Sequence, residues 1–396
     1  MKKIAIITPG GLPMPPVKGG AVENLVQLFI ESNELKKSVD FTVISCCDEN
    51  AVRESLKYKN TKFIYVKQND KHRKAAVFIN HIIRKLFKGS KIQIYPFIIN
   101  VIKELKKDSF DYILLENWPD YAPALIKKCG VPVLLHMHND YFNKSSYLSK
   151  EILAGVDKVI AVSDYIKRCV LTIDESSSKV SILRNVVNIQ KFSQVCDKTR
   201  RDVRNRYKIS DDEIVFAFFG RMIPGKGTKE LVTAFERLRK KHPNARLIMV
   251  GAEWFGKNIE SDYIREIKEI SVDFADSIIF TGYVDYDVIQ NQYACADVVV
   301  VPSIIEEAAG MVVLEAMASS KALIVSDSGG IPEHVDSQCA ISVERGPSFV
   351  DDLYKAMDKL ASDRELIKAM GDHGSKRVHM YDKNNYLDNL LEIIGD

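Results

Sequence analysis

The sequence predicts an α/β protein made of two doubly wound domains, each with a largely parallel sheet covered by helices on both faces. Three observations predict it. At 396 residues the chain is too long for one ordinary core. Short apolar strand candidates alternate with helical patterns, the mark of parallel sheets. A polar, charged stretch, "NIQKFSQVCDKTRRDVRNRYKISDDE", then separates a first such series from a second.

The first series opens with a buried strand at residues 3–8, the turn-rich "PGGLPMPPVKGG" and a helical pattern over 21–35. Further strands are expected at 41–45, 62–66, 112–115, 133–136 and 159–162. The second series has strands at 215–219, 246–250, 278–280, 298–301 and 322–325. The expected domains are therefore 1–200 and 201–375, with terminal helices over 376–396 that pack back toward the first. In open parallel sheets, ligands sit beyond the carboxyl ends of the strands, so functional motifs should follow strands.

Composition narrows the class. Hydrophobic residues make up 46% and charged residues 28%, the balance of a globular protein, and a net charge of +3 gives no argument for nucleic acid. The seven cysteines form no C-x-x-C pair, which suits reduced packing residues in a cytosolic protein. The apolar run at 4–7 is too short for a signal peptide, and no stretch reaches the roughly 20 apolar residues of a membrane helix. A cytoplasmic protein is expected. The stretch 71–107 carries ten Lys or Arg and one acid, Glu104, interleaved with apolar residues. It reads either as a solvated helix pair or as a surface for anionic lipid or a lipid-linked acceptor, giving a peripheral association with the inner face of the membrane.

Four motifs carry candidate chemistry. In "VPSIIEEAAGMVVLEAMASSKALIVSDSGGIPEHV", Glu307 lies on a loop and Glu315 about a turn inside a helix starting near Gly310. Unpaired N–H groups at that helix start suit a phosphate, and fixed carboxylates suit sugar or ribose hydroxyls. Alone, the pair also reads as a surface acid plus a helix acid. In "FFGRMIPGKGTKELVTAF", Arg221 and Lys226 follow a strand on a glycine-bearing loop. Two cations there can stabilise a departing diphosphate, each preorganised donor being worth roughly 3–4 kcal/mol. Gly19 and Gly20 precede a helix, and either form a plain loop or let the backbone approach a phosphate. His136 and His138, in "PVLLHMHNDY", share a strand face and read as hydrogen-bonded residues or as part of a metal or hydrolase site. Asp285 and Asp287 have D-x-D spacing, but are better read as a helix cap before 288–295 than as metal ligands.

The 301–335 stretch, with its P-S, acidic pair, glycine loop, "LEAMA" and Gly329-Gly330-x-x-Glu333, resembles the signature of family-4 retaining glycosyltransferases. The resemblance extends over nearly the whole chain. It implies the GT-B fold, two Rossmann-like domains facing across a cleft, and a nucleotide-sugar donor, a uridine nucleotide first. It also implies a growing-glycan acceptor, lipid-linked as in capsule or cell-wall assembly. Glu307 is implied at the donor sugar's reacting centre and Glu315 at the ribose, with Arg221 and Lys226 at the phosphates. His138, with His136 second, is implied at the sugar. Gly19 and Gly20 are implied over the phosphates, and Ala309, Gly310, Met311 and Val284 in the donor-binding set. Ser163 at a strand end is a further match. Ala308 and Ala309 depart from the commonest form of the pattern, as do Val186 and Asn188 in "SILRNVVNIQKF", where glycine and aspartate are usual; the former puts donor identity in question, the latter any role for Asn185. No cofactor or metal is expected, since the cations and the helix N-terminus supply the positive charge. Two other classes stay open: another enzyme on this architecture, such as a sugar-nucleotide epimerase or phosphorylase, and a non-catalytic partner subunit.

Overall fold

The computed structural model describes residues 1–67, 74–76, 78–80, 82, 94–253 and 261–395. The chain forms two compact units, one of Met1–Arg184 with Asn384–Asp396, the other of Asn185–Lys383.

The first unit holds a seven-stranded parallel sheet in the order β3-β2-β1-β4-β5-β6-β7. Its strands are β1 (Lys2–Ile7), β2 (Val39–Cys46), β3 (Thr61–Val66), β4 (Tyr112–Glu116), β5 (Val133–Met137), β6 (Lys158–Ala161) and β7 (Val180–Ile182). Nearly every residue of β1, β4 and β5 is buried, which explains their continuous apolar runs. The strand order reverses between β1 and β4, so the loops after these two strands flank the switch point where such sheets bind ligands.

The second unit holds a six-stranded parallel sheet, β10-β9-β8-β11-β12-β13. It comprises β8 (Ile214–Phe219), β9 (Ala245–Val250), β10 (Ile278–Gly282), β11 (Val298–Val301), β12 (Ala322–Ser326) and β13 (Ala340–Val343). Two apolar clusters cover its faces. Here the order reverses between β8 and β11, and the loops after β8, β11 and β12 stand side by side.

Three expectations change. The division falls at Asn185 rather than 200, because the polar stretch forms helices Ile189–Ser193 and Asp197–Arg206 of the second unit. Arg204, fully buried, bonds the carbonyls of Cys295, Ser210 and Glu213, a role no hydropathy pattern signals. The second change concerns the tail: residues up to Lys383 stay with the second unit, and only the segment from Asn384 joins the first. There, helix Tyr386–Gly395 stacks Tyr386 on Phe29 of helix Ala21–Lys36, ring centres 4.2 Å apart. The third concerns Asp285 and Asp287. Asp285 is the N-cap residue, without a side-chain bond, of the 3-10 turn Tyr286–Val288 that leads into the helix, and the helix itself runs Gln290–Cys295 from Ile289.

Much of the basic stretch, including Lys85, Lys88 and Lys91, lies outside the described residues. Its described end, helix Pro96–Leu105, buries Phe97, Ile98, Val101, Ile102 and Leu105. No helix among the described residues is long and apolar enough to cross a membrane.

Candidate active site

In the second unit the loops after β8 and β11 are stitched together by backbone. Ile304 and Ile305 both donate to the Gly225 carbonyl, at 3.0 and 3.2 Å. Gly227 has φ +67°, and a Cβ there would lie 1.8 Å from the Pro302 carbonyl oxygen, so only glycine permits this approach. The result brings Lys226 to Glu307. Their charged atoms are 2.5 Å apart, with the side chains 23% and 15% exposed.

Glu307 is held from several sides. Ser303 Oγ donates to the same Oε1 at 2.5 Å, and the Glu307 N–H donates to Ser328 Oγ at 3.0 Å. The Gly330 N–H donates to the Glu307 carbonyl at 2.7 Å. Arg345 clamps this loop to the one after β12. It donates to Glu306, to the Asp327 carboxylate and carbonyl, and to the Ile304 carbonyl. Gly310, at φ +65°, starts helix Met311–Ala318 beside the loop, and its first-turn N–H groups have the polarity that favours an anion. Arg221 is exposed on the β8 loop. Ala309 is buried, while Val284 and Met311 pack half-buried against the core below.

Glu315 lies a little over a turn inside helix Met311–Ala318. It is 7% exposed and accepts from Tyr293 OH at 2.7 Å. The Tyr293 ring in turn stacks on Phe219, 3.7 Å away. Burial holds the Glu315 carboxyl above its ordinary range, against the downward pull of the Tyr293 and Tyr286 hydroxyls and of Lys191. Tyr293 escaped the sequence reading, because an aromatic inside "NQYACADVVV" reads as packing.

In the first unit, Gly19 and Gly20 take φ +73° and +112° immediately before helix Ala21–Lys36. A Cβ on Gly20 would meet the Glu23 carboxylate at 2.2 Å. Glu23 is itself buried, and desolvation, reinforced by the charge of Glu116, raises its pKa to about 7 despite a bond from its own N–H. Ser163 caps helix Asp164–Leu171 by accepting from the Ile166 N–H at 3.1 Å, which gives it a place in the fold.

His136 and His138 converge on the Glu116 carboxylate: His138 Nε2 lies 2.7 Å from Oε2 and His136 Nδ1 pairs with Oε1 at 3.4 Å, with Oε2 3.1 Å away. All three side chains are at most 5% exposed. Glu116 ends β4, directly opposite His136 of β5. Burial pushes Glu116 up, but the two imidazoles outweigh it and bring it to about 2. Burial and the charge of His136 lower His138 to about 4, against the attraction of Glu116. The three residues are of metal-ligating type, yet each ring nitrogen lies at hydrogen-bond distance from its own carboxylate oxygen of Glu116. Glu116 was missed in the sequence because "YILLENWPD" reads there only as a strand end.

Two doubly wound parallel sheets, one in each unit, are the architecture of the GT-B class. Comparison with known proteins agrees. The model "Glycosyl transferases group 1" matches residues 199–377 and "Glycosyltransferase Family 4" matches 33–191. The chain belongs to the family-4, group 1 glycosyltransferases. It is 27% identical to protein YtcC of Bacillus subtilis, over 95% of this chain and 87% of that protein. It is 30% identical to a GDP-mannose-dependent phosphatidylinositol monomannoside mannosyltransferase of Mycobacterium tuberculosis, over 57% of each chain. The solved structure of HepE from Anabaena, with UDP and glucose, has the same fold: TM-score 0.76 at 17% identity, covering both chains fully.

Proposed function

We propose that the chain is a retaining hexosyltransferase that moves a sugar from a nucleoside diphosphate sugar to a hydroxyl of a growing glycan. The observation that supports this most is the Lys226–Glu307 pair, set beside the helix start at Gly310 and within a loop that Arg345 holds. On this reading, an arriving diphosphate takes Lys226 from Glu307, freeing the carboxylate to hold sugar hydroxyls near the anomeric carbon. Arg221, Lys226 and the helix N-terminus then take up charge as the diphosphate leaves, with no metal ion required there. The departing phosphate oxygen accepts the proton of the attacking hydroxyl on the same face, which retains configuration. Glu315, held by Tyr293, binds the ribose.

A uridine base is our first assignment, supported by the UDP and glucose in the HepE structure, with guanosine second, supported by the mannosyltransferase relative. We place the acceptor on a lipid-linked glycan, met at an anionic surface by the basic stretch 71–107. Neutralising Lys85, Lys88 and Lys91 should weaken binding to anionic vesicles; unchanged binding and turnover remove that part of the reading.

The deciding experiment is thermal stabilisation across nucleoside diphosphates and their sugars, with Lys226→Ala and Glu307→Ala beside the unaltered chain. A shift for one base, reduced in Lys226→Ala, is expected. No shift with any nucleotide would overturn the transferase reading.

A further inference from the structure

The Glu116–His136–His138 group stands outside the chemistry just described, and its geometry fixes where protons sit. At neutral pH a carboxylate carries no proton, so both ring nitrogens facing the Glu116 carboxylate must be donors: Nδ1–H of His136 to Oε1 and Nε2–H of His138 to Oε2. A neutral His138 then has Nδ1 as a lone-pair acceptor. That atom is buried and has no hydrogen-bond partner among the described residues. Buried polar atoms are normally paired, and an orphaned acceptor in a substrate-binding protein points to a donor brought by a ligand.

The surroundings hold this arrangement rigidly. Asn117, at φ +50°, donates its N–H to the His136 carbonyl at 2.8 Å and accepts the His138 N–H on Oδ1 at 3.0 Å. The two imidazole ring centres lie 4.1 Å apart, so the rings pack against each other. The neighbouring groups that bear on the cluster are Glu23, from the first turn after Gly20, and the buried Tyr386 hydroxyl. The cluster also sits at the carboxyl ends of β4 and β5, next to the point where the strand order reverses.

We propose that Glu116 is a positioning residue for sugar transfer, fixing His138 as the Nε2–H tautomer so that Nδ1 accepts a hydrogen bond from a sugar hydroxyl. The inference rests on the transferase reading above. It assigns His138 the role of acceptor rather than donor, so a substrate lacking that hydroxyl should be rejected far more strongly than one carrying an extra methylene.

Two measurements test it in the full-length chain. Ring nitrogen NMR of the ¹⁵N-histidine-labelled protein at pH 7 should show His138 protonated on Nε2 and bare on Nδ1. The near-isosteric Glu116→Gln should lower kcat at least tenfold, keep nucleotide affinity within about twofold, and shift the tautomer signature, since a carboxamide both donates and accepts. Glu116→Asp, which retains the charge, should recover part of kcat. His138 protonated on Nδ1 in the unaltered protein overturns the proposal, as does unchanged kcat in Glu116→Gln. Parallel loss of melting temperature and nucleotide affinity in that variant would reduce Glu116 to a structural residue. One equivalent of zinc retained on purification and lost in His136→Ala would replace the proposal with a metal site. Absence of any nucleotide-sugar turnover by the unaltered chain sinks the transferase reading itself. Turnover with the wrong His138 tautomer sinks the positioning role alone.

Discussion

At the scale of single residues, two positions combine chemistry with strain. Burial pushes the Glu23 carboxyl up to about 7 in the folded state, from an ordinary value of 4.5. Because the folded state favours its protonated form, stability is lost as pH rises from about 4.5 to 7 and is level above. The shift corresponds to about 3 kcal/mol. Glu23→Gln removes this dependence. Urea unfolding should show the variant near the unaltered protein at pH 4.5 and more stable at pH 8; equal stabilities at pH 8 would contradict the assignment. Gly329, at φ +52°, is the second position. A Cβ there would lie 2.1 Å from the Glu307 carbonyl oxygen. Gly329→Ala must therefore push the loop that carries Glu307, costing about 1–3 kcal/mol of stability. Nucleotide affinity should fall with it, both read from melting curves with and without nucleotide.

At the scale of elements, the loop 302–310 is built by contacts from three strand ends, and Arg345 holds two of them. Arg345→Ala should lower the melting temperature only modestly, since ion pairs between partly exposed side chains contribute about 0–1 kcal/mol each. It should nevertheless weaken nucleotide binding severalfold by loosening the loop. Arg345→Lys should restore little of that, because lysine lacks the planar fork that reaches Glu306 and Asp327 together. Calorimetric titration with the preferred nucleotide checks both variants. The same region shows what was legible in the sequence. Apolar runs located eleven strands to within a residue or two, because buried parallel strands leave no polar alternation to blur them. They missed β7 and β13, which are short and partly exposed. Glycines next to charged residues identified the loops after β8 and β11. Glu116, Tyr293 and Arg345 stayed hidden because each acts through a partner distant in sequence, and nothing local to "LLEN", "NQYA" or "VERG" records the pairing.

At the scale of the whole molecule, the chain crosses from one unit to the other twice, and the two crossings meet within the second unit. Val187 pairs with Asp382, its N–H donating to the Tyr381 carbonyl at 2.9 Å. The boundary at Asn185 thus follows from pairing between segments nearly two hundred residues apart, which a local break in polarity could only approximate. The final helix then supplies part of the first unit's core, with Tyr386, Leu387 and Leu390 fully buried. Lys36 also pairs with Asp388 at 2.6 Å. Tyr386→Ala should cost about 3–5 kcal/mol, as other large-to-small core changes do. Because Tyr386 packs on Phe29 of helix Ala21–Lys36, that loss falls on the unit that carries Gly19, Gly20 and the Glu116 cluster. The nucleotide-binding residues proposed in the other unit keep their own core. Calorimetric scans of Tyr386→Ala should therefore show an early transition that nucleotide leaves in place, followed by one that nucleotide raises as in the unaltered chain. Loss of the nucleotide-dependent transition would mean that the donor site depends on the first unit for its stability. Tyr386→Phe separates packing from polarity: it keeps the stacked ring and removes a buried hydroxyl that has no partner among the described residues, so it should match or exceed the stability of the unaltered protein.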